Sequence, residues 1–222
     1  MRKQPFFSMI VPAHNAAEYM RKGIKSIRKQ KFEDYELIIV CDACEDRTEH
    51  IARFYGDVVI ATDFGRDGLA RNAGIDAASG KWLLFMDDDD WLLHEYVFTQ
   101  LHEALSRVDV DVLAFSFIWR NVGYTRQVPT DVKYAVWNKA WRREFVGETR
   151  FPAVESVSDV GFTDAVMAKH PRVSFWDMPM YYYNYLRPGS ISWQQERRKE
   201  LERGKGHERA DSWADRGGAA DS

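Results

Sequence analysis

Short apolar runs alternate with stretches of helical spacing through the N-terminal part of the chain, and this limits the fold more than any other feature. Phe6 to Val11 is apolar apart from Ser8 and is stopped by Pro12, which cannot donate to a ladder. The loop Ala13-His14-Asn15 follows. Glu18 to Gln30 then carries Tyr19, Met20, Gly23, Ile24 and Ile27 near helical spacing. Glu36 to Val40 reads as a second strand, ending at Cys41 and Asp42. A helix to about Tyr55 follows, with Asp46 or Thr48 available as its cap. Asp57 to Ala61 is a third strand, and a loop with Gly65 and Gly68 leads into a helix from Leu69 to about Ser79. Lys81 to Met86 is a fourth strand. This succession predicts an α/β fold, a mostly parallel central sheet with helices on both faces. The strands are apolar runs rather than alternating ones, as burial on both faces requires.

The fourth strand ends in four consecutive carboxylates, Asp87-Asp88-Asp89-Asp90, followed by Trp91. Open α/β sheets bind ligands at the carboxyl ends of their strands. Adjacent carboxylates repel one another unless something positive neutralises them, and a hard divalent cation with oxygen ligands does so. The plainer reading is a solvated turn or the acidic start of a helix over Leu93 to Leu105.

Several classes are disfavoured. No Gly-Lys-Ser/Thr follows the glycine-bearing loop, and no Gly-x-Gly-x-x-Gly follows the first strand, which speaks against a P-loop NTPase or an NAD enzyme. A formal net charge of −3 speaks against a nucleic-acid surface. The only cysteines, Cys41 and Cys44, are too few for a structural zinc and share one strand end, poor geometry for a disulfide. A reducing cytoplasm is expected, with no signal peptide and no membrane-spanning helix.

Beyond Ser106 the pattern loosens. Val110 to Ile118 reads as a strand, Asn121 to Tyr134 as irregular, and Val136 to Phe145 as a helix with tryptophans inward and arginines in water. Asp159 stands just ahead of an apolar helix face with Phe162 and Val166. Arg172 to Trp176 is a candidate strand, followed by Tyr181, Tyr182, Tyr183 and Tyr185. Residues 193–222 form a charged tail, partly helical and then disordered, whose interspersed glutamates make it a weak membrane-surface helix.

These pieces together resemble family 2 glycosyltransferases of the GT-A fold. The likeness rests on Ile10-Val11-Pro12-Ala13-His14-Asn15, Val40-Cys41-Asp42-Ala43-Cys44-Glu45-Asp46, Gly68-Leu69-Ala70-Arg71-Asn72-Ala73-Gly74, and Phe85-Met86-Asp87-Asp88-Asp89-Asp90, which is similar to the Asp-x-Asp signature. It continues through Trp137-Asn138-Lys139, Arg150-Phe151-Pro152, Ser158-Asp159-Val160-Gly161-Phe162 and the segment Tyr181 to Ser192. The chain departs from the family where Cys41 replaces an aspartate, Ala43-Cys44 replaces Gly-Ser, and Ser158 replaces a glutamate.

The resemblance implies a GT-A domain over residues 1–192, with 1–92 as the nucleotide-sugar half and 93–192 as the acceptor half. It implies an inverting transfer from a nucleoside diphosphate sugar, UDP-linked by default, to a hydroxyl of a glycan or glycolipid, with Mn²⁺ or Mg²⁺ on the diphosphate. Asp87 and Asp89 are the expected metal ligands, and Asp87 and Asp88 also meet the nucleotide sugar. Pro12, Ala13, His14 and Asn15 line base and ribose, Asp42 accepts from the base, and Arg71 pairs with phosphate or covers the base. Asp159 is the expected general base. Each residue has a plainer alternative: Asp42 as a turn former, Arg71 in a salt bridge to Asp67 or Asp42, Asp159 as a helix cap, the aromatics as core. Two other functions compete, a sugar-phosphate nucleotidyltransferase and an inactive sugar-binding protein. The first would need a glycine-rich basic loop after the first strand, which Pro12 to Asn15 is not. Peripheral contact with the cytoplasmic membrane face is compatible with this reading.

Overall fold

The computed structural model describes residues 4–121, 124–128, 135–154, 158–184 and 197–198. The tail expected over 193–222 lies almost wholly outside them. Two compact units divide the chain: Met1–Arg120 with Thr125–Tyr183, and Asn121–Tyr124 with Asn184–Ser222. The first carries the helices and the body of the sheet.

Its parallel part is built as the sequence pattern predicts. β1 (Phe7–Ala13), β2 (Tyr35–Asp42), β3 (Val58–Thr62) and β4 (Trp82–Phe85) lie in the order β3-β2-β1-β4, all parallel. Helices α1 (Met20–Arg28), α2 (Thr48–Tyr55) and α3 (Asp67–Ala77) connect them. Alternate residues feed opposite cores. Phe7, Met9 and Val11 join Met20, Ile24 and Ile27 of α1 and Ile51 of α2, whereas Ile10, Ile38 and Val40 join Ala70 and Ile75 of α3. Each large side chain removed from water contributes about 1.5–3 kcal/mol. Gly74 lets α3 lie against β1, because a Cβ there would meet Ile10 Cγ2 at 2.4 Å. β1 runs through Pro12, which is in register with Val40; pairing with β4 has already ended at Ile10 and Phe85.

The sheet then changes character. β4 is followed by β8 (Lys139–Arg142), β6 (Val112–Asn121), β9 (Val173–Tyr183) and β5 (Trp91–Leu92), with β7 (Tyr124–Val128) on β6. β8 is antiparallel to β4 and β6, β9 is parallel to β6, and β5 is antiparallel to β9. Helices α4 (Val97–Arg107), α5 (Arg143–Val146) and α6 (Ser158–Met167) cover it. Nine strands are thus joined among the described residues.

Several sequence expectations are corrected here: the first strand runs through Pro12 to Ala13, and β7 occupies Tyr124–Val128 within the stretch expected to be irregular. The helix expected over Val136 to Phe145 is a strand, β8, followed by the single turn of α5. The apolar spacing suits a helix, but a slot between β4 and β6 takes the segment as a strand, with Ala140 facing one core and Trp141 the other. The helix expected from Leu93 begins at Val97. Its first residues are held back because Trp91 and Leu92 pair with Tyr182 and Tyr181, and Leu93 N donates to Met180 O at 3.1 Å.

At the start of β6, Asp111 is clamped by arginines. It accepts from Arg172 N and Nε at 3.0 Å each and from Arg172 Nη2 at 2.8 Å, with Arg142 Nε at 3.4 Å. The Arg172 bonds, helped by the Arg142 charge, bring its carboxyl down to about 2.

Candidate active site

The strands β1, β2 and β4 stop at one edge of the sheet, and the segments leaving them carry most of the polar residues the sequence singles out. β4 ends at Phe85, and the chain turns at once, with Asp90 N donating to Asp87 O at 3.2 Å. That turn frees Asp87, Asp88 and Asp89 from the strict alternation of an extended strand. Gly23 of α1 makes room for it: a Cβ there would stand 2.4 Å from Asp90 O.

The four aspartates have separate fates. Asp90 is fully buried and accepts from Tyr181 Oη at 2.6 Å. The same hydroxyl accepts from Asp87 N at 3.1 Å. Burial and the Asp90 and Asp87 charges push the Tyr181 phenol well above its ordinary range. Asp88 accepts from His14 N at 3.2 Å, tying this turn to the end of β1. Asp87 accepts from Arg71 Nη2 at 2.7 Å. Asp89 lies half-buried at the tip of the turn.

Around β1 and β2 the loops are fastened by side chains that bond to backbone. The buried carboxylate of Asp42 accepts from Thr62 Oγ1 at 2.8 Å, Phe64 N at 2.7 Å and Arg66 N at 2.9 Å. It therefore shapes the loop after β3 from inside. His14 Nδ1 lies 2.8 Å from Asp42 O, and Asn15 Oδ1 accepts from Glu45 N at 2.8 Å. Ala13 is buried beside Cys41, and its carbonyl accepts from Cys44 Sγ at 3.4 Å. The N-cap of α2 is Arg47, without a side-chain cap bond, rather than Asp46 or Thr48; Asp46, just ahead of it, accepts from Thr48 N at 2.8 Å. Ala43 sits at φ 49°, a left-handed conformation that suits glycine.

Arg71 joins the distant parts. Only 4% exposed, it projects from α3 and meets three carboxylates. Nη1 contacts Asp67 Oδ2 at 2.5 Å and Asp159 Oδ1 at 3.3 Å, and Nη2 contacts Asp87 Oδ1 at 2.7 Å. Its Nε is buried without a hydrogen-bond partner among the described residues. Asp159 lies in the first turn of α6, just behind Ser158, which is buried and donates to Asp67 Oδ2 at 3.1 Å. Burial pushes the Asp159 carboxyl upward; Arg71 opposes this, and the Asp87 and Asp67 charges reinforce it. One guanidinium among three carboxylates leaves surplus negative charge at this edge.

That surplus suits a cation. Among the described residues no three His, Cys, Asp or Glu side chains form a ready cluster. Mg²⁺ and similar hard ions need only one or two carboxylates when phosphate and water complete the shell. Asp87 and Asp89 offer oxygen donors of that kind.

The aromatic residues pack on one another. Trp137 is buried, stacks with Tyr181 at 4.7 Å and Tyr183 at 4.8 Å, and meets Phe117 edge-on at 4.6 Å. Trp141 lies in the opposite core. The salt bridge to Asp67 that the sequence offered as the plainer reading of Arg71 is formed, whereas Tyr181 was named only among the aromatics and not as the latch of the acidic turn. Nothing local marks Tyr181, one tyrosine in a run of three, whereas Asp67 was visible as the i−4 partner of Arg71.

The profile of glycosyl transferase family 2 matches residues 8–157, well over half of the chain. Glycosyltransferase GlyA of Streptococcus pneumoniae is 23% identical across 83% of this chain and 31% of its own length. Uncharacterized glycosyltransferase YibD of Escherichia coli is 26% identical across 83% of this chain and 62% of its own. The chain thus spans less than two thirds of these curated relatives. Staphylococcus aureus TarS, solved in complex with UDP-GlcNAc, superposes with a TM-score of 0.73 at 26% identity, covering 83% of this chain and 59% of that one. A mannosyltransferase of Pyrobaculum calidifontis, solved with GDP-Man and Mn²⁺, shares the fold at a TM-score of 0.68 and 16% identity. The sheet is therefore that of the GT-A enzymes, and the chain belongs to glycosyl transferase family 2.

Proposed function

We propose that this chain moves a sugar from a nucleoside diphosphate donor to a hydroxyl acceptor, with inversion at the anomeric carbon. The observation that carries the reading is the Arg71 junction, which brings Asp87 and Asp159 to one guanidinium from distant parts of the chain. The likeness to TarS in its UDP-GlcNAc complex supports a UDP-sugar as donor. A glycan or glycolipid hydroxyl is the acceptor class.

Residues 1–92 hold the donor. Pro12 to Asn15 and Asp42 line base and ribose, with Asp42 also shaping the pocket wall through Phe64 N and Arg66 N. Asp87 and Asp88 meet the nucleotide sugar, and Asp87 and Asp89 hold Mn²⁺ or Mg²⁺. When bound, such an ion neutralises charge growing on the leaving diphosphate. Arg71 fixes Asp87 in place and adds positive charge to the same edge. Residues 93–192 receive the acceptor, whose hydroxyl proton passes to a carboxylate oxygen of Asp159 as that hydroxyl attacks the face opposite the diphosphate. The raised pKa of Asp159 makes it a better proton acceptor than an ordinary exposed aspartate.

Calorimetric titration with UDP, with and without Mn²⁺, tests the reading. Wild type should bind more tightly with the ion, and Asp89→Ala should lose that difference. Equal affinity with and without Mn²⁺ in the wild type rejects the metal role.

A further inference from the structure

Helix α1 carries more positive charge than a helix that only covers a sheet requires. Between Met20 and Lys31 the chain has six Lys and Arg and no Asp or Glu, although its net charge is −3. Met20, Gly23, Ile24 and Ile27 face the core, and Arg21, Lys22, Lys25 and Lys29 are exposed. Arg21, Lys25 and Lys29 stand four apart and so form one line along the outer face, a spacing at which like charges destabilise a helix. Arg21 and Lys22 also sit in the first turn, where the helix dipole disfavours cations, and that turn holds no acidic residue. Local rules broken by exposed side chains point to a role outside the fold.

Two exposed aromatic residues border this face. Arg28 Nε donates to Tyr55 O at 2.7 Å, which lays the end of α2 against α1, and the neighbouring Phe54 is 79% exposed. Near the same end of α1, Lys31 N donates to Glu95 O at 2.8 Å, next to the exposed Tyr96. Towards the other end, Lys22 Nζ lies 3.0 Å from the centre of the Trp91 ring, directly after the acidic turn. We propose that this face of α1 docks the protein on a bilayer with anionic headgroups: Arg21, Lys25 and Lys29 meet the headgroup charge, and Phe54 and Tyr96 enter the interfacial layer. Phe54 favours a bilayer over a nucleic acid, because a ring with no polar atom gains by leaving water for the acyl boundary, whereas phosphates would need only the cations. Among the described residues no helix is long and apolar enough to cross a membrane, and the contact proposed is with the surface alone. Lys22 brings the basic face up to the acidic turn, so docking holds the donor edge close to the lipid surface, where a glycolipid hydroxyl is presented. This surface goes beyond the donor chemistry and stands or falls separately from it.

Flotation of the full chain with vesicles tests the docking, with phosphatidylcholine and phosphatidylglycerol in equal parts set against phosphatidylcholine alone. The wild type should float with the mixed vesicles and be released as salt is raised. Each cation near such a surface is worth roughly fivefold in partitioning, so Arg21→Gln, Lys25→Gln and Lys29→Gln combined should weaken binding about 100-fold. That variant should keep its Tm and its UDP affinity, since none of the three residues belongs to the site. Phe54→Ser should weaken binding several-fold and leave its salt dependence as it was. A wild type that stays off the mixed vesicles, equal binding to the neutral ones, or full binding by the triple variant overturns the proposal. So does a wild type that ignores both vesicles yet captures an RNA duplex through the same three residues. Failure of UDP to bind the wild type removes the donor reading and leaves the vesicle result untouched.

Discussion

The loops above β1, β2 and β3 and the seam where α3 meets α6 and β4 are built by different means. In the first region side chains bond to backbone: Asp42 to Phe64 N and Arg66 N, Asn15 to Glu45 N, Asp46 to Thr48 N. In the second, side chains bond to each other across the chain: Arg71 to three aspartates, Ser158 to Asp67, Tyr181 to Asp90. Bonds to backbone set loop shape. Charge pairs set protonation. The seam is accordingly where pH should act and where the chemistry is expected.

The largest effect that would sharpen this contrast is chemical. Asp159→Asn should cut transfer by about 10²–10⁴-fold while leaving UDP affinity unchanged, read by initial rates and calorimetry. Because the native state raises the pKa of this carboxyl, it takes up the proton more readily than the unfolded chain. Its contribution to stability is present at low pH and lost as pH rises through the folded pKa. The same variant should therefore keep or raise the Tm at neutral pH, and a clear drop would break the contrast. Tyr181→Phe should cost about 1–3 kcal/mol in urea unfolding, since Asp90 is left buried without that donor.

A smaller effect is expected at Asp111, which lies outside the site. Asp111→Asn should cost about 1–2 kcal/mol at neutral pH, a charged hydrogen bond to a half-exposed arginine being screened by solvent. Its carboxyl is lowered to about 2, so this stability is present above the unfolded value and disappears as pH falls toward 2. A wild-type and variant difference that persists at pH 2 would contradict the assignment. The smallest effect belongs to the loop region: Ala43→Gly should stabilise by about 0.5–1 kcal/mol, because residue 43 has a positive φ. A loss of stability there would show that the loop is not strained.

The same contrast explains what the sequence disclosed. The parallel strands were legible because each is a local apolar run, and the carboxylates at their ends follow directly in the chain. Ala43 in place of a family glycine was noted as a departure, but its positive φ emerged only from the structure. β8 was misread because Trp137 and Trp141, four residues apart, satisfy helical spacing equally well, and only the slot between β4 and β6 decides. Tyr181 could not be picked from among its neighbours, since its partner Asp90 is adjacent only after folding. Asp159 was located by likeness to the family, whereas its meeting with Arg71 needed three dimensions.

Tyr181 has a consequence for biosynthesis. The hydroxyl that fastens the acidic turn arrives 94 residues downstream of Asp87. Domains fold from the N-terminus as they leave the ribosome. A nascent chain can thus lay down β1 to β4 while the aspartates at their edge are still unlatched. The acidic corner is finished last, so a chain released early would have the parallel strands β1 to β4 without that latch.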